Sequence, residues 1–133
     1  MNIFVLIVAC ISALAVVAHV IGGTVEAASL SPKQEDIKLT RNWKQSMCAF
    51  QMLSVDLLLV AIVLFFIVFT DVIPFEPQLI LFLSLMFMLW GIVWLIQLLW
   101  LKSDLKTYLF LPHWMVWFIC SALLYFSTLP VNY

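Results

Sequence analysis

Apolar residues fill this chain in four long blocks separated by short polar stretches. The blocks run from about Asn2 to Val20, Met47 to Thr70, Gln78 to Leu101 and Tyr108 to Leu129. Within them there is no period-2 alternation of the kind a transmembrane barrel strand requires, and no internal repeat. Each block holds about 19 to 24 residues, and at about 1.5 Å of rise per residue a helix of that length crosses a hydrocarbon core of about 30 Å. In lipid the backbone must satisfy its own hydrogen bonds, so uninterrupted apolar sequence takes helical form. The pattern predicts an all-α integral membrane protein, a four-helix bundle in which residues 1–133 form a single transmembrane domain.

Local signals refine the edges. Gly22-Gly23 is expected to end the first helix, since glycine accepts the left-handed backbone of a helix terminus. In the long connection of about 24–46, Ser31-Pro32-Lys33-Gln34 fits a helix start, with Ser31 as N-cap, Pro32 first in the helix and Gln34 closing a capping box. No glycine or proline follows until Pro74. The second span is therefore expected to begin near Pro32, project from the membrane and enter lipid at about Trp43. Leu111-Pro112 marks the start of the fourth helix, with Tyr108 to Leu111 as a non-helical lead.

Composition agrees with lipid as the solvent. Hydrophobic residues make up 66% of the chain and charged residues only 10%, too little polar surface to cover a soluble core of this size. The net charge is −1, and no basic cluster is dense enough for nucleic acid. Cys10, Cys48 and Cys120 show neither a CxxC nor a zinc-ligand spacing and are expected to be free thiols. No Lys or Arg precedes the first block, which argues for a retained span over a cleaved signal. Ile7-Val8-Ala9-Cys10 has the form of a lipoprotein cleavage box, but apolar sequence continues beyond it.

Charge sets the orientation. All six basic residues fall in two connections: Lys33, Lys38, Arg41 and Lys44 in the first, Lys102 and Lys106 in the third. The second connection carries Asp71 and Glu76. Basic residues stay cytoplasmic, so the first and third connections are expected inside and both termini outside, in a bacterial inner membrane. Trp43, Trp100 and Trp114 then fall where indole anchors sit at the inner interface. Lys33, Lys38, Arg41 and Lys44 form a candidate partner surface, or else a solvated extension of the second span.

Polar residues at membrane depth are the candidates for chemistry. Asp56 lies about a third of the way into the second block, where a carboxylate costs about 2.5–3.5 kcal/mol and the run Leu57 to Phe69 returns about 4–7 kcal/mol, so the helix still inserts. Its side chain must meet protein or water, or be protonated. It serves either as a proton-accepting site or counter-ion, or as a hydrogen-bonded packing residue with Ser54, Ser84 or Ser121 as partners. A second group appears once the topology is applied. His19, Gln51, Gln97 and His113 give each span one hydrogen-bonding side chain in the same inner layer. Convergence would yield a polar network that fixes helix packing, or a haem, quinone, metal or proton site. Two histidines without a nearby cysteine or carboxylate are a poor metal set. Trp90 and Trp94, four apart, share a face with Gln97, as bundle packing or as a wall for a lipid or quinone tail.

His19-x-x-Gly22-Gly23 followed by Glu26, with Leu111-Pro112-His113-Trp114 opening the last span, resembles a family of small four-span bacterial membrane proteins. The resemblance covers length, span number and these motifs, and it implies the organisation without an activity. Where that family tends to carry Trp-His in the second span, this chain has Phe50-Gln51.

No catalytic residue is identified. The leading expectation is a non-enzymatic accessory or stabilising subunit of a larger inner-membrane assembly, in contact with lipids and with other membrane subunits or further copies of itself. The alternative is a small homo-oligomeric proton-coupled transporter or ion pathway using Asp56. A second alternative is a haem- or quinone-associated redox subunit using His19 and His113; no cofactor is otherwise expected.

Overall fold

A computed structural model describes residues 2–32 and 36–130. It is all-helical among those residues, with α1 at Ile3–Val17, a π-helical segment at Ala18–Gly23, α2 at Thr24–Ser29, α3 at Ile37–Phe69, α4 at Glu76–Trp100, α5 at Leu105–Phe110 and α6 at His113–Ser127. Three helical stretches, Ile3–Ser29, Ile37–Phe69 and Glu76–Trp100, are long and apolar enough to cross a membrane. The fourth apolar block is divided instead. Its main helix α6 has 15 residues, about 22 Å at the standard rise, and α5 precedes it across a break at Leu111-Pro112.

Two of the expected boundaries are corrected. Gly22-Gly23 does not end the first helix: Gly23 sits at φ −63°, ψ −37°, and the helix passes through the π turn into α2. Glycine permits the left-handed conformation without imposing it, and here the missing Cβ serves close packing instead. The second span does not start with Ser31 and Pro32. The Ser31 amide instead donates to Ala28 C=O at 3.2 Å as the chain leaves α2, and Lys33 and Gln34 lie outside the described residues. α3 begins at Ile37, where Asp36 Oδ1 accepts from the Leu39 amide at 2.9 Å, the usual service of an N-cap aspartate.

The chain divides into two compact units, residues 9–65 and residues 1–8 with 66–133. The first holds an antiparallel pair made by α1, the π turn and α2 against α3. Moving forward from His19 through Gly23 to Ala27, the contacts on α3 retreat from Ser54 through Phe50 to Trp43. The inward stripe of α3, including Ser54, Leu57, Ala61 and Leu64, is buried and follows the 3.6-residue period.

The second unit is built on α4 and α6, also antiparallel. Ser84 meets Ser121, Phe87 and Trp90 meet Trp117, and Trp94 meets His113. Small side chains set the approach: a Cβ placed on Gly91 would lie 2.8 Å from the Phe118 ring. Close approach through small residues is how helices associate where no hydrophobic drive exists. Asn2 caps α1, its Oδ1 accepting from the Phe4 amide at 3.1 Å, and its Nδ2 donates to Ser127 C=O at 3.1 Å. That bond puts the start of α1 beside the end of α6.

The connections are locally determined. α4 starts after Phe75, held at φ 61°, with Pro77 in the first turn. It ends in a Schellman turn, Ser103 N–H donating to Leu98 C=O at 3.1 Å and Lys102 N–H to Leu99 C=O at 3.0 Å, with Lys102 at φ 50°. α5 opens on Asp104, whose Oδ1 accepts from both the amide and the hydroxyl of Thr107. Tyr108, Leu109 and Phe110, expected to be non-helical, are therefore helical, because a capped turn precedes them.

Candidate functional site

The π turn is where the first unit concentrates its polar groups. Such turns widen the helix and re-aim its side chains, and they recur at functional positions. Here the turn presents His19 to α3. Nδ1 lies 2.9 Å from Ser54 Oγ, and the imidazole stacks on Phe50 with ring centroids 3.7 Å apart and planes 15° apart. Gly23 makes room for that ring, since a Cβ there would come within 2.7 Å of its tip. One turn further, Gln51 Nε2 donates to Thr24 Oγ1 at 2.9 Å. Ser54 Oγ is also within reach of Phe50 C=O at 3.3 Å and Gln51 Oε1 at 3.4 Å. A hydroxyl has a single proton, so the set is satisfied when His19 donates from Nδ1 and Ser54 gives its own proton to one of those oxygens. Five residues on two helices thus form one connected network.

The proposed inner layer divides between the units. His19 and Gln51 belong to the network just described. Gln97 and His113 belong to the other unit, where both are exposed. His113 packs its ring on Trp94, centroids 4.5 Å apart. Trp94 Nε1 is buried and has no hydrogen-bond partner among the described residues. Trp90 packs edge-on against both Phe87 and Trp117, so the Trp90–Trp94 face is filled by α6 over most of its length and continues to an exposed Gln97. Among the described residues no group of three His, Cys, Asp or Glu side chains comes together in a way that could hold a metal.

Asp56 is in neither hydrogen-bond cluster. Its candidate partners are engaged elsewhere: Ser54 with His19, and Ser84 with Ser121, whose C=O accepts from Ser84 Oγ at 2.8 Å. Asp56 itself is exposed on the outer face of α3, beside Met52 at 70% exposure and Val55 and Leu59 at 55% each. Nothing in the apolar pattern revealed its direction, because apolar residues surround α3 on every side.

The tryptophan anchors differ among themselves. Trp43 Nε1 donates to Ala27 C=O at 3.2 Å and Trp114 Nε1 to Tyr108 C=O at 3.3 Å, so both brace short helices. Trp100 is 81% exposed. Lys38, Arg41 and Lys44 are exposed along the first turns of α3; Lys33 lies outside the described residues.

Phe50, Ser54 and Thr24 were missed as members of the polar site. The signal was present: carrying the helix through Gly22-Gly23 brings Thr24 opposite Gln51 in an antiparallel pair. Treating the glycines as a terminus hid it.

These features define a class, an all-helical protein with three helices of membrane-spanning length and composition. No protein-family model, curated protein or solved structure matches the chain.

Proposed function

We propose that this chain is a non-enzymatic inner-membrane protein of four crossings, and that it serves as an accessory or stabilising subunit within a larger membrane assembly. The observation that carries this is the direction of Asp56. A carboxyl group in the apolar part of α3, exposed and without a hydrogen-bond partner among the described residues, would face hydrocarbon in an isolated molecule. That arrangement costs several kcal/mol unless another polar surface covers it. An assembly face removes the cost.

The fourth crossing combines α5 and α6, because α6 alone falls short of the hydrocarbon thickness. The Asn2–Ser127 bond supports termini on a common side, and the distribution of Lys and Arg puts that side outside. The resemblance to small four-span bacterial proteins agrees in organisation. An outward Asp56 suits an interface better than a pathway enclosed by one chain. His19, bonded at Nδ1 to Ser54 and stacked on Phe50, ties α3 to the π turn, a role in helix packing.

The test is affinity isolation of the tagged chain from native membranes in mild detergent. Recovery with stoichiometric amounts of other membrane-embedded chains, foreign or identical, is expected. Recovery as a lone monomer would end this reading.

A further inference from the structure

The outer surface of α3 has a shape that selects an occupant. Cys48, Met52, Val55, Leu59 and Ile62 are all exposed and follow one another at alternating steps of four and three residues. That is the a/d seam of a left-handed helix pair. It lies opposite the buried stripe of Ser54, Leu57, Ala61 and Leu64. With Met52 and Leu59 at a and Val55 at d, Gln51 falls at g and Asp56 at e.

The surface is not smooth along this seam. A shallow depression is lined by Met47, Cys48, Gln51, Met52 and Val55, and four of these are spaced as the walls of a knob-into-hole site. Residues at i, i+3, i+4 and i+7 are the four that make the hole for an a-position knob in a parallel pair. The knob that such a hole receives is the partner's residue at the level of Met52.

We propose that this face is covered by a second copy of the chain, in a parallel α3–α3 contact about a two-fold axis normal to the membrane. The proposal rests on the reading of the Asp56 face as an assembly face and names what occupies it. Three observations favour the same chain over a foreign helix. Every copy inserts in one orientation, so the two seams meet in parallel and in register. The hole at Cys48–Val55 then takes Met52 of the other copy, an unbranched side chain that adapts to irregular space. The polar groups also match. In a parallel pair each e position lies beside the partner's g position of the preceding heptad, which sets Asp56 against Gln51 of the second copy twice, once on each side of the seam. Gln51 has two amide protons; one goes to Thr24, and the second has no acceptor among the described residues. The two Asp56 carboxyls fall on opposite sides of the seam and do not confront each other. No Lys or Arg lies between Lys44 and Lys102, so within the span the donor is an amide. Toward the cytoplasm the same seam reaches Arg41 and Lys38, where like charges would meet, so pairing is confined to the membrane portion.

Cys48 makes the test direct. The full chain is oxidised in native membranes with copper phenanthroline and analysed without reductant. A disulfide-linked dimer is expected through Cys48, unchanged in Cys10→Ser and abolished in Cys48→Ser. In a chain lacking both thiols, Met52→Cys and Val55→Cys should restore the dimer, while Leu14→Cys on the exposed face of α1 should not. Asp56→Leu inserts more readily than the parent, so it keeps the folded helix. It is expected to lower the dimer fraction at limiting protein-to-lipid ratio by at least about threefold, the worth of one interhelical hydrogen bond in lipid, while Asp56→Asn, which keeps an acceptor oxygen, retains it. Absence of the Cys48 dimer overturns the proposal, as does equal cross-linking through Leu14→Cys, or an unchanged dimer fraction in Asp56→Leu. Should a foreign membrane protein co-purify while Cys48 fails to cross-link, self-pairing is excluded and the assembly reading stands.

Discussion

The two helix pairs of this protein solve one problem by different means. In residues 9–65, α1 and α2 are pinned to α3 by side-chain hydrogen bonds gathered at a π turn, with His19, Thr24, Gln51 and Ser54 in one network and Phe50 stacked beneath the imidazole. In the other unit, α4 and α6 are held by approach: Gly91 under Phe118, Ser84 against Ser121, and rings from both helices filling the rest. Each pair has one histidine packed against an aromatic ring, and His19 also hydrogen-bonds Ser54 of its partner helix. Where lipid removes the hydrophobic drive between helices, association rests on close packing and interhelical hydrogen bonds. One pair leans on each.

The largest test of that contrast is Gly91→Val. Overfilling a closed contact costs about 1–3 kcal/mol, and the upper end is expected here because the obstructing group is a packed ring. Unfolding of the detergent-solubilised protein in SDS would measure it, and Phe118→Ala in the same chain should recover part of the loss. An unaffected midpoint would show that the α4–α6 pair is looser than its geometry implies.

Serine removal compares the pairs directly. Ser54→Ala removes the hydroxyl that meets His19 Nδ1 and Gln51 Oε1, so a loss of about 1–2 kcal/mol is expected. Ser84→Ala gives up the contacts of its hydroxyl to the carbonyl and hydroxyl of Ser121 and should cost about 0.6 kcal/mol for each bond lost, the average for such bonds in a membrane. The reverse order would mean that the network contributes less than the close-packed seam. Ser12→Ala should act in the opposite direction. Its hydroxyl is buried and has no partner among the described residues, and deleting an unsatisfied group is expected to stabilise the protein by about 1 kcal/mol.

The smallest effect belongs to α5. The Thr107 hydroxyl and amide both donate to Asp104, and together they hold its carboxyl below the ordinary value of 3.8. A depressed folded-state value means the cap contributes above the unfolded carboxyl range and is lost as pH falls through the folded value. Protection of the Thr107 amide against hydrogen exchange should thus be constant at neutral pH and decline only under strong acid. In Asp104→Asn that decline should vanish.

How much of this was legible in the chain depends on the scale considered. The helices at Ile37–Phe69 and Glu76–Trp100 cover the second and third apolar blocks, since hydropathy summed over a window is insensitive to the position of any one residue. Boundaries written by single residues fared worse. Gly22-Gly23 looked like a stop and is a clearance for Phe50, because the same missing Cβ serves both purposes. Ser31-Pro32 looked like a start, while Asp36, three residues before the Leu39 amide it caps, performs that role. The pattern offered His19, Gln51, Gln97 and His113 as one layer and did not show that His19 and Gln51 join one network through Ser54. The short helix α5 escaped because six residues are too few to show a period.

From sequence alone came the solvent, the number of apolar blocks and the presence of costly polar groups within them, since these are sums of transfer free energies along the chain. Tertiary structure decided the rotation of each helix, and with it that Ser54 turns inward to His19 while Asp56, two residues away, turns out. Successive residues of a helix point about 100° apart, so a contact that fixes one direction fixes all the others. In α3 that contact is made by Ser54 and Phe50 against the π turn.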